Sequence, residues 1–289
     1  MSAIQIIGTT VTTTRANIRQ GSPSITAPVL RKVDAGTSVA VIGVATGDTV
    51  QGNAQWYHTD EQAYIWSGAC GALSAPAASS GDVPNVVDIS HGDQVTSFAQ
   101  ARGAGVLGVI HKATTGQSGQ DPHYAQNRRD AVAAGLLWGA YHWGTAAPVD
   151  KQVQNFLDTA KPDAHTLVAL DFETDDGNQM TLDMARAFLQ GVQAKLGRRA
   201  VLYSGDRIKD QLKNTVDSFF GQHRLWLAQY GSRPQVQPSW NTFWLWQYTD
   251  GSDRKPAVIV PGIPGDAQGR LDCNHFMGSE DQLRAQWAS

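Results

Sequence analysis

Leu167-Val168-Ala169-Leu170-Asp171-Phe172-Glu173-Thr174 is the stretch on which the fold turns. Four apolar residues run into an acid, an aromatic and a second acid, the pattern of a fully buried strand that becomes polar at its C-terminal end. Successive strand side chains point to opposite faces, so Asp171 and Glu173 share a face, with backbone positions about 6.5–7 Å apart. Two carboxyl groups so placed can act on one substrate. Such a pair suits glycosidic bond cleavage, where one acid protonates the leaving oxygen and another carboxylate attacks or stabilises the developing cation. A solvated strand end ahead of the polar loop Asp175-Asp176-Gly177-Asn178 is the competing reading of the stretch taken alone.

Outward from it, strands and helices alternate. The pattern predicts strands over 85–89, 107–112, 136–143, 200–203, 225–229 and 243–248, and helices over 121–134, 150–159 and 181–196. Such alternation argues for an α/β fold, a TIM-like (β/α) barrel. Several strands end in residues that can do chemistry: Asp88, then His111-Lys112, Tyr141-His142-Trp143, the Asp171/Glu173 pair, and Tyr203-Ser204-Gly205. In a barrel those C-terminal ends converge on one mouth, which favours the functional reading of the acidic pair.

Residues 1–73 read differently. Thr9 to Thr14, Val39-Ala40-Val41-Ile42-Gly43-Val44, Gln55-Trp56-Tyr57-His58 and Gln62-Ala63-Tyr64-Ile65-Trp66 are short β-prone runs, with a turn cluster at Gln20-Gly21-Ser22-Pro23-Ser24. Together they predict a small all-β unit. Ser74-Ala75-Pro76-Ala77-Ala78-Ser79-Ser80-Gly81 has the composition of a linker. The expected organisation is therefore 1–73, a linker over 74–84, and a barrel over 85–289.

Composition narrows the function. With 289 residues and 41% hydrophobic content, the chain can build one large core and a small one. A net charge of -3, from 23 basic and 26 acidic residues with no basic run, offers no electrostatic footprint for nucleic acid or an anionic membrane surface. No stretch approaches the ~18 apolar residues of a membrane span. The N-terminus lacks both a basic segment and an apolar run, so the chain is expected to be made in the cytoplasm without a signal peptide. Cys70 and Cys273 make neither a disulfide framework nor a metal cluster, and Cys273 is expected as a buried thiol. His91 and His142 have no companion at ligand spacing, so neither a catalytic metal nor any other cofactor is expected. Ser204 lacks the preceding glycine of a nucleophile elbow.

The order of motifs carries more. Val86-Val87-Asp88-Ile89-Ser90-His91, Val109-Ile110-His111-Lys112-Ala113-Thr114-Thr115-Gly116, Gly139-Ala140-Tyr141-His142-Trp143 and Leu170-Asp171-Phe172-Glu173 follow one another, then Val201-Leu202-Tyr203-Ser204-Gly205, Leu225-Trp226-Leu227-Ala228-Gln229-Tyr230, Leu245-Trp246-Gln247-Tyr248 and Leu271-Asp272-Cys273-Asn274-His275-Phe276. In this order residues 84 to 287 resemble glycoside hydrolase family 25, the muramidase-type lysozymes. Thr115 stands where that family often has Glu, and Trp143 where it often has Phe.

The resemblance implies cleavage of the β-1,4 bond between N-acetylmuramic acid and N-acetylglucosamine in peptidoglycan. It implies Glu173 as general acid and Asp171 as its partner, either steering the substrate's N-acetyl group or stabilising positive charge directly. Asp88 and Asp272 would line the same pocket. Tyr141, Tyr203 and Trp246 are candidates to stack on or hydrogen-bond the sugars, a role that competes with core packing for each, and Lys112 and Gln247 are further candidates. The strand spacing leaves retaining and inverting geometries open, and the resemblance favours retention. A wall-binding barrel that does not cleave is the alternative, disfavoured because a buried acid pair is costly to maintain.

Ala16-Asn17-Ile18-Arg19-Gln20-Gly21-Ser22-Pro23-Ser24, Val33-Asp34-Ala35-Gly36-Thr37-Ser38-Val39, Trp56-Tyr57 and Tyr64-Ile65 resemble a bacterial SH3-like domain. That resemblance implies a wall peptide or glycan as ligand, with a structural spacer as the alternative. The chain is then expected to act on cell-wall peptidoglycan after lysis, as an endolysin does, or after dedicated secretion.

Overall fold

The computed structural model describes residues 8–59, 61–73, 83–230, 234–252 and 258–289. The linker sequence at 74–81 lies outside them. The chain divides near residue 77 into two compact units.

The first unit is all-β, as expected. β1 (Gly8–Val11), β2 (Ala16–Gln20), β3 (Val29–Val33), β4 (Ser38–Val50), β5 (Asn53–Thr59) and β6 (Ala63–Trp66) form one sheet in the order β1-β4-β5-β6-β2-β3. All its pairings are antiparallel. β4 and β5 are joined through Gln51 and Gly52, with φ of 50° and 83°. Positive φ at both central residues is what a two-residue hairpin needs to match strand twist. Alternate residues point inward to a core of Ile18, Val33, Val39, Val41, Tyr57, Ala63 and Ile65.

The second unit contains β7 (Val86–Ile89), α1 (Phe98–Ala104), β8 (Gly108–Thr115), β9 (Gly119–Gln120), α2 (Tyr124–Ala133), β10 (Leu137–Trp143), α3 (Val149–Ala160), β11 (Leu167–Asp171), α4 (Leu182–Leu196), β12 (Val201–Ser204), α5 (Asp206–Leu212), β13 (Leu225–Ala228), β14 (Leu245–Thr249), β15 (Asp272–His275) and α6 (Glu280–Gln286). The sheet order runs β10 through β15, then β7 and β8, and pairing of β10 with β8 closes it into an eight-strand barrel. β9 hangs on the edge of β8.

This α/β barrel departs from the TIM-like expectation. β7, β8 and β10 to β14 run parallel, but β15 is antiparallel to both β14 and β7. Among the described residues no α-helix separates β13 from β14 or β14 from β15. The sequence supplies the reason: the β14–β15 connection carries Pro261-Gly262-Ile263-Pro264-Gly265, which interrupts any helix. An antiparallel return needs no helical crossover.

Strand parity fixes what lies inside. Val86, Ile110, Tyr141, Leu167, Ala169, Val201, Tyr203, Trp226 and Leu245 belong to one buried cluster. Residues of opposite parity face the surrounding helices, as where His142 stacks on Phe188 of α4 at 4.7 Å. α4 starts at Thr181, whose side chain accepts from Met184 N, and stops at Gly197 with φ of 70°. The end opposite the C-terminal ends of the parallel strands is closed by Trp287, whose indole donates to Trp138 O at 2.7 Å. Its ring sits where a Cβ on Gly108 would come within 2.7 Å.

Candidate active site

Carrying the inward parity to the C-terminal ends of the parallel strands yields Asp88, Lys112, Tyr141, Asp171, Tyr203 and Gln247, and the start of the antiparallel β15 brings Asp272 to the same end. Asp88 is paired in register with Asp272, Lys112 with Tyr141, and Asp171 with Tyr203. Glu173 lies just past the end of β11. Phe172 N still donates to Tyr203 O at 2.9 Å, so the pairing extends one residue. Alternation then returns Glu173 to the side of Asp171, beside the Tyr203 hydroxyl. Phe172 is turned the other way, fully buried, under the Arg207 guanidinium at 5.4 Å.

Each of the acids holds its proton more tightly than a free carboxyl does. Burial pushes Asp171 well above the usual range, and the neighbouring Glu173, Asp88 and Asp272 push the same way against Lys112. Burial also raises Glu173, opposed by the neighbouring Tyr203 hydroxyl and by Lys112. Asp272 rises through burial and the charge of Asp88. Asp88 is pushed up to about 7 by burial, although hydrogen bonds from Asn274 and Gln247 pull it down. Like charges this close in a dry site cannot all ionise. Asp171 Oδ1 is buried and has no hydrogen-bond partner among the described residues.

Asp88 is held by amides. Asn274 Nδ2 donates to its Oδ1 at 2.7 Å, and Gln247 Nε2 lies 3.1 Å from both of its oxygens. Gln247 Oε1 in turn accepts from Tyr203 OH at 2.9 Å and Tyr230 OH at 3.2 Å. Lys112 Nζ lies 5.7 Å from the Tyr141 ring centre and 5.1 Å from that of Trp143.

Two nominated sugar contacts are engaged by protein partners. Trp246 has the opposite parity to Leu245 and Gln247. It is buried against Phe243 and Tyr248 and donates its indole N–H to Gln229 O at 2.6 Å. Gln247 does face inward, but it is 1% exposed and its amide is engaged by Asp88 and two tyrosines. Tyr141 and Tyr203 form the wall of the mouth, both packed edge-on to Trp226.

The remaining candidates have structural partners. His142 lies between Thr114 Oγ1 and Gln152 Oε1, and burial lowers it to about 4. His91 Nδ1 is 3.1 Å from Asp121. Among the described residues no group of three or more His, Cys, Asp or Glu is arranged to hold a metal. Ser204 Oγ donates to Phe172 O at 2.7 Å. Cys273 is fully buried, as expected.

Three inward residues escaped the sequence reading. Asn274 sits two positions from Asp272 on β15, and Tyr230 two beyond Ala228, so extending the period-2 pattern from either neighbour would have found them. Asp93, raised by burial and facing Asp266 and Lys112, lies in the loop after β7, where no periodicity points to it.

A closed barrel that gathers Asp88, Asp171, Glu173 and Asp272 beside tyrosines and a lysine has the equipment of a glycosidase. The comparisons agree: residues 87–255, more than half of the chain, match the glycosyl hydrolases family 25. The chain belongs to that family and is a glycoside hydrolase. It is similar to lysozyme M1 of Streptomyces globisporus, 25% identical over 214 residues and covering 69% of each chain. It is also similar to the uncharacterised protein YegX of Escherichia coli O157:H7, 29% identical over 180 residues, where the match spans 60% of either length. Among solved structures, the lysozyme of Streptomyces coelicolor aligns with a TM-score of 0.61 at 26% identity, covering 70% of this chain and 95% of that one. A family GH25 lysozyme from Aspergillus fumigatus aligns with 0.57 at 25% identity, covering 70% and 98%.

Proposed function

We propose that this enzyme hydrolyses the β-1,4 bond between N-acetylmuramic acid and N-acetylglucosamine in peptidoglycan, with Glu173 as general acid and Asp171 as its partner carboxylate. Family membership and the lysozyme relatives support the substrate. The observation that carries the residue roles is the acid pair itself: two acids on one side of the strand end, both with raised proton affinity, the deeper one with an unpartnered oxygen among the described residues.

Burial keeps Glu173 protonated above the usual carboxylate range, so it can give its proton to the glycosidic oxygen as the C1–O bond breaks. Asp171 takes up the substrate's acetamido N–H through its free Oδ1. The acetamido oxygen then attacks C1, and the positive charge of the resulting oxazolinium ion develops beside Asp171. In the empty site that carboxylate is disfavoured; a cation next to it removes the penalty. The interaction is therefore strongest in the transition state, which is what raises turnover. Water, deprotonated by the Glu173 carboxylate, opens the ring at C1, and two inversions give net retention.

The N-terminal sheet is, on this reading, an SH3-like module that holds the enzyme on wall peptide or glycan, acting after lysis or dedicated secretion. Mass spectrometry of fragments released from purified peptidoglycan tests the bond assignment. N-acetylmuramic acid at every new reducing end is the expected result. Reducing-end N-acetylglucosamine would overturn it, and release of no fragments would leave a barrel that only binds glycan.

A further inference from the structure

Asn274 is fully buried on β15, in register with Gln247 of β14 and Val86 of β7. Its carbamoyl group lies between two partners of fixed polarity. Trp226 Nε1 donates to Oδ1 at 2.6 Å, and Nδ2 donates to Asp88 at 2.7 Å. An indole N–H can only donate and an ionised carboxylate can only accept. Rotating the amide by half a turn would set N–H against N–H at one end and oxygen against carboxylate at the other. The indole therefore fixes which end of Asn274 faces the catalytic mouth. Trp226 is itself immobilised, 1% exposed and packed edge-on by Tyr141 and Tyr203. The indole N–H is the part of this side chain that packing does not use.

Resting on the glycosidase reading above, we propose that Asn274, oriented by Trp226, is a positioning residue that holds the Asp88 carboxylate in one rotamer and favours its ionised form. Gln247 completes the arrangement from the neighbouring strand. Its Oε1 is occupied by Tyr203 and Tyr230, which turns Nε2 toward Asp88. Two amides thus saturate the inner edge of Asp88 and leave an Oδ2 lone pair for a sugar hydroxyl. The groups that oppose its charge face it from every side. They are Asp93 in the following loop, Tyr141 on β10, Asp171 and Glu173 at β11, Tyr203 on β12, Tyr230 after β13, and Asp272 and Cys273 on β15. Lys112, which favours ionisation of Asp93, Asp171 and Glu173, is the cation of this set. Without the amides, burial among so many acids would leave Asp88 neutral across the physiological range.

The test is a carbon-13 NMR titration of the full chain carrying carboxyl-labelled aspartate, with the Asp88 resonance assigned through Asp88→Asn. Hydrogen bonds to a carboxylate lower its pKa, so their loss moves the midpoint up. Asn274→Ala should raise the Asp88 midpoint by about one pH unit. Trp226→Phe keeps an aromatic ring but removes the N–H that fixes the amide, and should raise the midpoint in the same direction. The acid limb of kcat/KM on glycan should move with it. A purely structural role would lower Tm and leave the midpoint in place. An unmoved Asp88 midpoint in folded Trp226→Phe overturns the proposal, and that variant carries the test even where Asn274→Ala fails to fold. The titration needs no turnover: a shifted midpoint in a protein that cleaves no glycan would reject the glycosidase reading and not the positioning. Cleavage with an unmoved midpoint would do the reverse.

Discussion

Asp171 is a charge that the fold resists, and that resistance is measurable. An unfolded Asp ionises near about 4, whereas burial and neighbouring acids hold Asp171 protonated to much higher pH in the native state. Its contribution to stability is therefore full below about pH 4 and is lost as pH rises through the native value. Asp171→Asn removes this loss, and because Oδ1 lacks a partner the amide breaks no hydrogen bond there. Calorimetry should find the variant more stable than wild type by at least ~2 °C at pH 8, with the difference closing toward pH 4. Equal Tm values at both pH values would contradict the raised pKa. The buried imidazoles of His111 and His142, both lowered to about 4, act with the opposite sign. Their stabilisation is present above about pH 6.5 and lost as pH falls toward 4; since both proteins carry them, the difference isolates Asp171. The acids were legible in the sequence because strand ends and parity announce them. Trp246 and Gln247 were not: adjacent strand residues cannot both face inward, and the partners that engage Gln247 come from Asp88, Tyr203 and Tyr230, distant in sequence.

Among elements, the legible ones were those with long or uniformly apolar signals. β11 reads as a buried run, and α3 and α4 extend for 12 and 15 residues with a clear apolar face. α1 and α5 have only seven residues each, too few to establish a helical period. β15 was invisible as a strand, since Asp272-Cys273-Asn274-His275 offers one apolar residue and its inward positions are polar by function. Missing β15 meant missing the antiparallel closure. β2 and β3 escaped for a related reason: each buries a single core residue, Ile18 and Val33, and β3 is the sheet edge. The closure of the barrel floor predicts a further effect. Trp287→Ala should empty the space over Gly108 and remove the bond to Trp138 O, costing ~3–5 kcal/mol. Denaturant unfolding measures this. A loss below ~1 kcal/mol would mean that the floor collapses to fill the space, contrary to close packing of the barrel base.

At the scale of the whole molecule, the two-unit organisation was legible from the change between short β-prone runs and strand–helix alternation. The activity follows from the barrel and its position on the wall from the N-terminal sheet, on the proposal made above. Deleting residues 1–73 should then preserve turnover on soluble glycan fragments while lowering it on whole walls, because a tethered binder raises local enzyme concentration. Equal loss on both substrates, read by parallel assays, would make the sheet part of the barrel's own stability. The measurement closest to the central claim is turnover of purified peptidoglycan by Glu173→Gln. The substitution keeps size and polarity but removes the transferable proton, a contribution commonly worth ~10²- to 10⁴-fold. The expected result is a folded protein with wild-type Tm and less than about a hundredth of wild-type turnover; retention of more than about a tenth would contradict Glu173 as the proton donor.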